Sequence, residues 1–275
     1  MSKSFLAKHV NKLIGSSLFV IVCLSLLIIY VYSETKTTEE RLLEPQFNLS
    51  LLLLSQNIDA RISSMKLIAK TVANDTHIHD WIENGFAADQ ESILVDKLGF
   101  LVKEYGLTSA SFADKNTHKY WNHEGFLRVL QPETDRWYFA YLKSGEPDLV
   151  SVYHDKNKNR VDVYVNYQQT DGNGLSGIAT SFDGVLDILK NSLFAKHGDI
   201  YLVDKSGKIQ VHAEADVAGI KNLQDMFSKD TIDRLLQPDS SGFIEFNQAD
   251  DRLLGASYIP SMNWYVVANV STVIE

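Results

Sequence analysis

Ser109-Ala-Ser-Phe-Ala-Asp-Lys-Asn-Thr-His-Lys-Tyr-Trp121 and Asp199-Ile-Tyr-Leu-Val-Asp-Lys-Ser-Gly-Lys-Ile-Gln-Val211 follow one plan. Each is an apolar strand, an Asp-Lys turn and a second strand, which is the pattern of a β-hairpin. Each is followed further on by a closing strand. In the first case this is Gly177-Ile-Ala-Thr-Ser-Phe-Asp183, with a helix expected over Val185–Phe194; in the second it is Trp264-Tyr-Val-Val-Ala-Asn-Val270. Two modules of similar plan in tandem are the economical reading. Their expected bounds are 76–194 and 195–275.

Between hairpin and closing strand of the first module lie two further strands, Leu149–Asp155 and Arg160–Gln168, around the turn Lys156-Asn-Lys-Asn159. With that turn as pivot, Asp155 opposes Arg160, Tyr153 opposes Asp162, Ser151 opposes Tyr164 and Leu149 opposes Asn166. Side chains alternate between faces of a strand. Ser151, Tyr153, Asp162, Tyr164 and Asn166 therefore share one face, and Val150, Val152, Val161, Val163 and Val165 share the other. The valine face is the core. The opposite face is either a solvated surface or the wall of a polar pocket, and tyrosines, with apolar bodies and hydroxyl tips, are what small-molecule sites use.

Upstream of the modules, Leu42, Leu43, Phe47, Leu51, Leu54, Ile58, Ile62, Met65, Leu67, Ile68 and Val72 recur at threes and fours, so a long helix is expected from about Thr37 to Asn74. Pro45 is expected to bend it or delay its start. The stripe can pack on its own domain, pair with a second copy, or do both along different stretches. Two shorter helices are expected at His77–Gly85 and Ala88–Tyr105. Before this stalk (33–75), the segment from Leu13 to Tyr32 carries no charged residue, which is the length needed to span a bilayer core. Tyr30 and Tyr32 suit the headgroup level, and Lys3, Lys8 and Lys12 place residues 1–12 in the cytoplasm and the remainder outside. A cleaved signal peptide would have a shorter apolar region and a small-x-small site, where Tyr-Val-Tyr-Ser-Glu follows here.

Beyond Tyr32 the chain carries 23 basic and 35 acidic side chains, a balance that argues against nucleic acid as a partner. The single cysteine, Cys23, lies in the apolar segment, so no disulfide forms within one chain. Asp155-x-Asn157-x-Asn159 has the opening spacing of a calcium loop, but Arg160 stands where glycine is needed and Asn166 where the bidentate Glu belongs. His77-Ile78-His79 has nothing to complete a metal site, and Asp171-Gly-Asn-Gly174 reads as a loop between strands. No Gly-x-Ser-x-Gly, His-Glu-x-x-His or Walker sequence is present, and no cofactor motif; the chain reads as a binding protein and not an enzyme.

At Asp135-Arg-Trp-Tyr-Phe-Ala-Tyr-Leu-Lys-Ser-Gly145, Asp162-Val-Tyr-Val-Asn-Tyr167 and Gly177–Asp183, the chain resembles double Cache (tandem PAS-like) sensor domains. These are periplasmic input modules of bacterial chemoreceptors, sensor histidine kinases and diguanylate cyclases. The resemblance covers about residues 35–272, and Trp137-Tyr138 followed by the Asn166-Tyr167 strand is its most specific piece. It implies an α+β fold in which a long transmembrane and stalk helix precedes two tandem PAS-like antiparallel-sheet modules, with a small polar metabolite bound in the membrane-distal one. Trp137 and Tyr138 match the pair that closes the family's pocket, and Tyr153, Asp162, Tyr164 and Asn166 fall on its strands. Amino-acid-binding members carry an arginine two residues before the Trp; here that position is Asp135, leaving Arg136 and Arg128 as candidates for holding an anion. The ending at Glu275, with no second apolar span, suggests the input part of a receptor, homodimeric through the stalk, or a protein that signals through a separate membrane partner. A scaffold that docks a partner and binds no ligand is the rival reading.

Overall fold

The computed structural model describes residues 24, 25, 27, 44–155, 160–183, 198–212, 214, 217–238, 243–247 and 252–271. Most of the apolar segment at 13–32, the start of the stalk, the turn at 156–159 and the helix expected at Val185–Phe194 lie outside these residues. Contacts divide the chain into a unit at Met1–Leu49 and a larger one at Ser50–Glu275. In the first, residues 44–49 are helical, Pro45 included.

The larger unit begins with helix α1, residues 50–73. Leu51, Leu54, Ile58, Ile62, Met65, Ala69 and Val72 are buried, a stripe at the spacing of threes and fours that a 3.6-residue repeat requires. Leu67, expected on this stripe, instead faces outward at 66% exposure. It lies two residues from both Met65 and Ala69, about 200° around the helix from each and so on the opposite side. Helix α2 (Thr76–Glu83) is capped by Asp75, whose carboxylate accepts from the amides of His77 and Ile78. Helix α3 (Glu91–Tyr105) stops at Gly106, which takes the left-handed conformation that ends helices; residues 88–90, expected within it, form a turn.

Strands β1 (Ser109–Asp114), β2 (Lys119–Asn122), β3 (Gly125–Val129), β4 (Asp148–Asp155), β5 (Arg160–Gln168) and β6 (Gly174–Ser181) form one antiparallel sheet in the order β3-β2-β1-β6-β5-β4. Helix α4 (Arg136–Ser144) lies between β3 and β4 in the chain. Strands β7 (Gly198–Asp204), β8 (Ile209–His212), β9 (Phe243–Asn247), β10 (Arg252–Ile259) and β11 (Trp264–Ser271) form the second sheet, ordered β8-β7-β11-β10-β9. A short helix, α5 (Lys229–Leu235), precedes β9.

The two sheets share a topology. In each, the first hairpin strand pairs with its hairpin mate on one side and with the closing strand on the other: β1 with β2 and β6, β7 with β8 and β11. The turns share chemistry too. Asp114 Oδ2 accepts from the amide and hydroxyl of Thr117, and Asp204 Oδ1 from the amide and hydroxyl of Ser206. Burial raises the Asp204 carboxyl, but the bonds from Ser206, Gln210 and the Lys208 amide outweigh it and hold the group below its usual range. The second core is built on Tyr201, Val203, Leu223, Leu235 and Val267.

Helix α1 runs behind both sheets and is tied to each. Ser55 Oγ shares a hydrogen bond with Ser257 Oγ at 2.7 Å, and Asp59 accepts from the Ser261 amide, both beside β10. Farther along, Arg61 donates to Thr180 of β6, Lys66 pairs with Asp148 of β4, and Lys70 lies over the Tyr167 ring of β5. Val163 and Val165, on the same face as Thr180, are fully buried there.

Truncating Ile62 to Ala is expected to cost about 2–5 kcal/mol in chemical denaturation, as for other fully buried aliphatic side chains. Leu67→Ala should stay within about 0.5 kcal/mol of wild type, because its side chain is largely in solvent. Equal losses at the two positions would contradict this orientation of α1.

Candidate functional site

The face of the six-stranded sheet turned away from α1 carries a cavity of about 630 Å³, within the range of small-molecule sites. Strand pairing creates it. Leu149 pairs with Asn166, Ser151 with Tyr164 and Tyr153 with Asp162, the register expected from the sequence. On the neighbouring side Asn166 pairs with Gly177 and Tyr164 with Ala179, and β1 sets Ser111 opposite Gly177 and Ser109 opposite Ala179. Period-two alternation then puts Ser109 and Ser111, Tyr120 and Asn122, Gly177 and Ala179, Tyr164 and Asn166, and Leu149, Ser151 and Tyr153 on one surface, and all of them line the cavity.

Small residues on the two central strands make the floor. A Cβ on Gly177 would stand 2.7 Å from Asn166 Oδ1 and 2.8 Å from Ser111 Oγ. Glycine at this position therefore keeps the middle of the floor open between two polar groups. Ser111 Oγ is itself held, donating to the Gly177 carbonyl at 3.0 Å.

Helix α4 covers one end of this face. Tyr138 and Tyr141 project inward and pack with Ala113, Leu130 and Leu175. The Tyr141 hydroxyl lies 2.9 Å from the Pro147 carbonyl and 3.2 Å from that of Asn166, and Gln168 Nε2 donates to the carbonyls of Tyr141 and Glu146. The C-terminal end of the helix is thereby fastened to the β5 strand that walls the cavity. Burial pushes the phenols of Tyr138 and Tyr141 upward in pKa, so both stay protonated. Trp137, one residue earlier in the helix, turns to the cavity and remains 45% exposed at its rim.

Arg128 of β3 reaches the cavity from the opposite edge of the sheet. Its Nη2 donates to Asp135 Oδ1 at 2.6 Å. Asp135 is buried, and its other oxygen accepts from the Gln131 amide at 2.9 Å and the Thr134 hydroxyl at 3.0 Å. The Arg128 hydrogen bond, with the Gln131 and Thr134 bonds behind it, outweighs burial and holds the Asp135 carboxyl below its usual range. The same bond raises Arg128.

Of the eight candidate residues, Arg128, Trp137, Tyr153, Tyr164 and Asn166 stand together around this cavity. Three others are placed elsewhere. Tyr138 is fully buried in the core beneath α4, with its hydroxyl 3.3 Å from His118 Nδ1. Arg136 is exposed at the start of α4 and does not line the cavity. Asp162 shares the cavity's face of β5 but is buried beyond its lining. Ser109, Ser111, Tyr120, Asn122, Gly177 and Ala179 belong to the lining and were missed. The Ser-x-Ser and Gly-x-Ala alternation of β1 and β6 is the signal that could have found them.

No family model matches the chain. A curated relative, the methyl-accepting chemotaxis protein McpG of Pseudomonas putida, is 26% identical over 279 residues; the match takes in 98% of this chain and 41% of that protein's length. Among solved structures, the ligand-binding domain of the Pseudomonas aeruginosa amino-acid chemoreceptor PctC, in complex with GABA, superposes with a TM-score of 0.61 at 14% identity, covering 83% of this chain and 99% of that one. The ligand-binding domain of Pseudomonas fluorescens chemoreceptor CtaA, in complex with L-serine, gives 0.59 at 18% identity over 84% and 98%. The extracellular domain of vpHK1S-Z8, a protein assigned as a histidine kinase, gives 0.65 at 12% identity over 85% and 95%. The resemblance read from the sequence is thus matched in three dimensions, and the chain has the α+β fold of chemoreceptor and histidine-kinase ligand-binding domains.

Asp135→Ala should lower stability at neutral pH by about 1.5–3 kcal/mol, the range for hydrogen bonds to a charged group. Because the folded-state pKa lies below the unfolded value near 3.8, this contribution is fully present above that value and is lost as pH falls through the folded pKa. Urea titrations of wild type and variant should therefore diverge above pH 4 and converge in stronger acid. A pH-independent gap would contradict an ionised Asp135.

Proposed function

We propose that the chain is the sensor part of a membrane-anchored bacterial receptor, in which the module at 76–194 binds a small polar metabolite. In this reading residues 13–32 anchor the chain in the inner membrane with residues 1–12 in the cytoplasm. The stalk at 33–75 pairs with a second copy, and the module at 195–275 stands nearer the membrane. The observation that carries the reading is the cavity on the polar face of the first sheet, with Trp137 at its rim and Arg128 across from it. The kinship with chemoreceptor ligand-binding domains supports the same assignment. In this reading the module acts by binding.

Signalling then follows from what lies behind the cavity. The strands that wall it, β4, β5 and β6, are the ones to which α1 is tied through Lys66, Lys70 and Arg61. A ligand that draws Trp137 towards Tyr153 and Tyr164 favours a state in which α4 and β4 sit closer together. The strain is shared with α1 and, through Ser55 and Asp59, with the second sheet. This is a population shift whose size is limited by the ligand's differential affinity for the two states.

The test is a thermal-shift screen of the full 275-residue chain, purified in detergent micelles, against a broad metabolite library. A true ligand at a hundredfold excess over Kd stabilises by about 2.7 kcal/mol. Trp137→Ala should weaken that ligand at least tenfold. Gly177→Val, which fills the floor between Asn166 and Ser111, should abolish binding while leaving the far-ultraviolet circular dichroism unchanged. A library that stabilises nothing, or hits that survive Gly177→Val, would sink the reading.

A further inference from the structure

The charge of the cavity is one-sided. Among the described residues that line it only Arg128 carries a formal charge, and no described carboxylate is among them. The two acids that lie close are both buried outside the lining. Asp135 accepts from Arg128, the Gln131 amide and the Thr134 hydroxyl, and Asp162 is buried on the cavity's face of β5, opposite Tyr153.

Arg128 is poised and not consumed by this arrangement. The pair with Asp135 uses one nitrogen, Nη2, and the guanidinium lies 5.9 Å from the Tyr120 ring. A guanidinium has five N–H donors in a fixed fork that matches a carboxylate. Anchoring by a buried carboxylate fixes the fork's position before any ligand arrives, which lowers the ordering cost of binding. The rest of the polar lining consists of hydroxyls and amides: Ser109, Ser151, Tyr153, Asn122 and Asn166 can each donate a hydrogen bond to oxygen. Among the described lining residues an ammonium group meets neutral acceptors only, and the one formal charge beside them is a guanidinium. Desolvating it there lacks the ionic partner that such a group requires.

Resting on the sensor reading, we propose that the cavity selects small organic anions that carry no ammonium group. They are carboxylates bearing hydroxyl or keto oxygens, with the carboxylate on Arg128 and the oxygens on the serine, asparagine and tyrosine side chains. Asp135 acts as a positioning residue for Arg128.

Isothermal titration of the full chain in detergent micelles with matched pairs, differing only in hydroxyl against ammonium, tests this. The pairs are lactate and alanine, glycerate and serine, and 4-hydroxybutyrate and GABA. At least one hydroxy acid should bind, with its amino partner at least tenfold weaker. Arg128→Gln should cost that hydroxy acid at least tenfold, and Arg136→Gln should change nothing. Because Arg128→Gln alone strands the buried Asp135 carboxylate, the double variant R128Q/D135N is read alongside it and should lose binding equally while remaining folded. An amino acid that binds as tightly as its hydroxy partner, or an R128Q/D135N protein that keeps its affinity, would overturn the inference and leave the sensor reading standing. So would a library hit confined to amines or uncharged compounds. If no compound of any class binds, the inference and the sensor reading fall together.

Discussion

The ladder between β1 and β6 is the constraint on which the rest of the first module depends. It joins residues sixty or more positions apart and sets Ser111 opposite Gly177. A slip of one residue would reverse the faces. Phe112 and Ile178, both fully buried towards the helices, would then fill the cavity, and Ser111 and Gly177 would be pressed against α1. The same alternation therefore specifies the hydrophobic core on one side and the polar cavity on the other. Neither could be altered without the other, and the site is as rigid as the sheet that carries it.

Much of this was legible in the chain. The register of β4 on β5 follows from a hairpin pivot and a period of two, both local. The tandem plan followed from the two Asp-Lys turns, whose carboxylates do equivalent work in the structure. The opposite half of the cavity was not legible, since Ser109, Ser111, Gly177 and Ala179 reach the site only through the long-range β1–β6 pairing. The Arg128–Asp135 pair was hidden for another reason. Its partners are seven positions apart across an irregular turn, where no periodicity says which way a side chain points.

Tyr138 and Arg136 show how resemblance by motif can overreach. Adjacent residues on a helix project about a hundred degrees apart. Only one of Arg136, Trp137 and Tyr138 can face the cavity, and it is Trp137; Tyr138 serves as the pin that seats α4 on the sheet. Asp135, which stands where the resemblance to amino-acid-binding members leads one to expect an arginine, accepts a hydrogen bond from Arg128. The cation that lines the cavity is on β3, and Asp135 holds it there.

The bonds of α1 have a thermodynamic consequence. Ser55 and Asp59 engage the second sheet while Arg61, less than one helical turn later, engages the first. The two sheets thus share a single strut, and the apolar stripe that each buries belongs to the same helix. Melting either sheet would strip cover from the strut that supports the other, so the two should unfold in one cooperative transition despite having separate strands and separate cores.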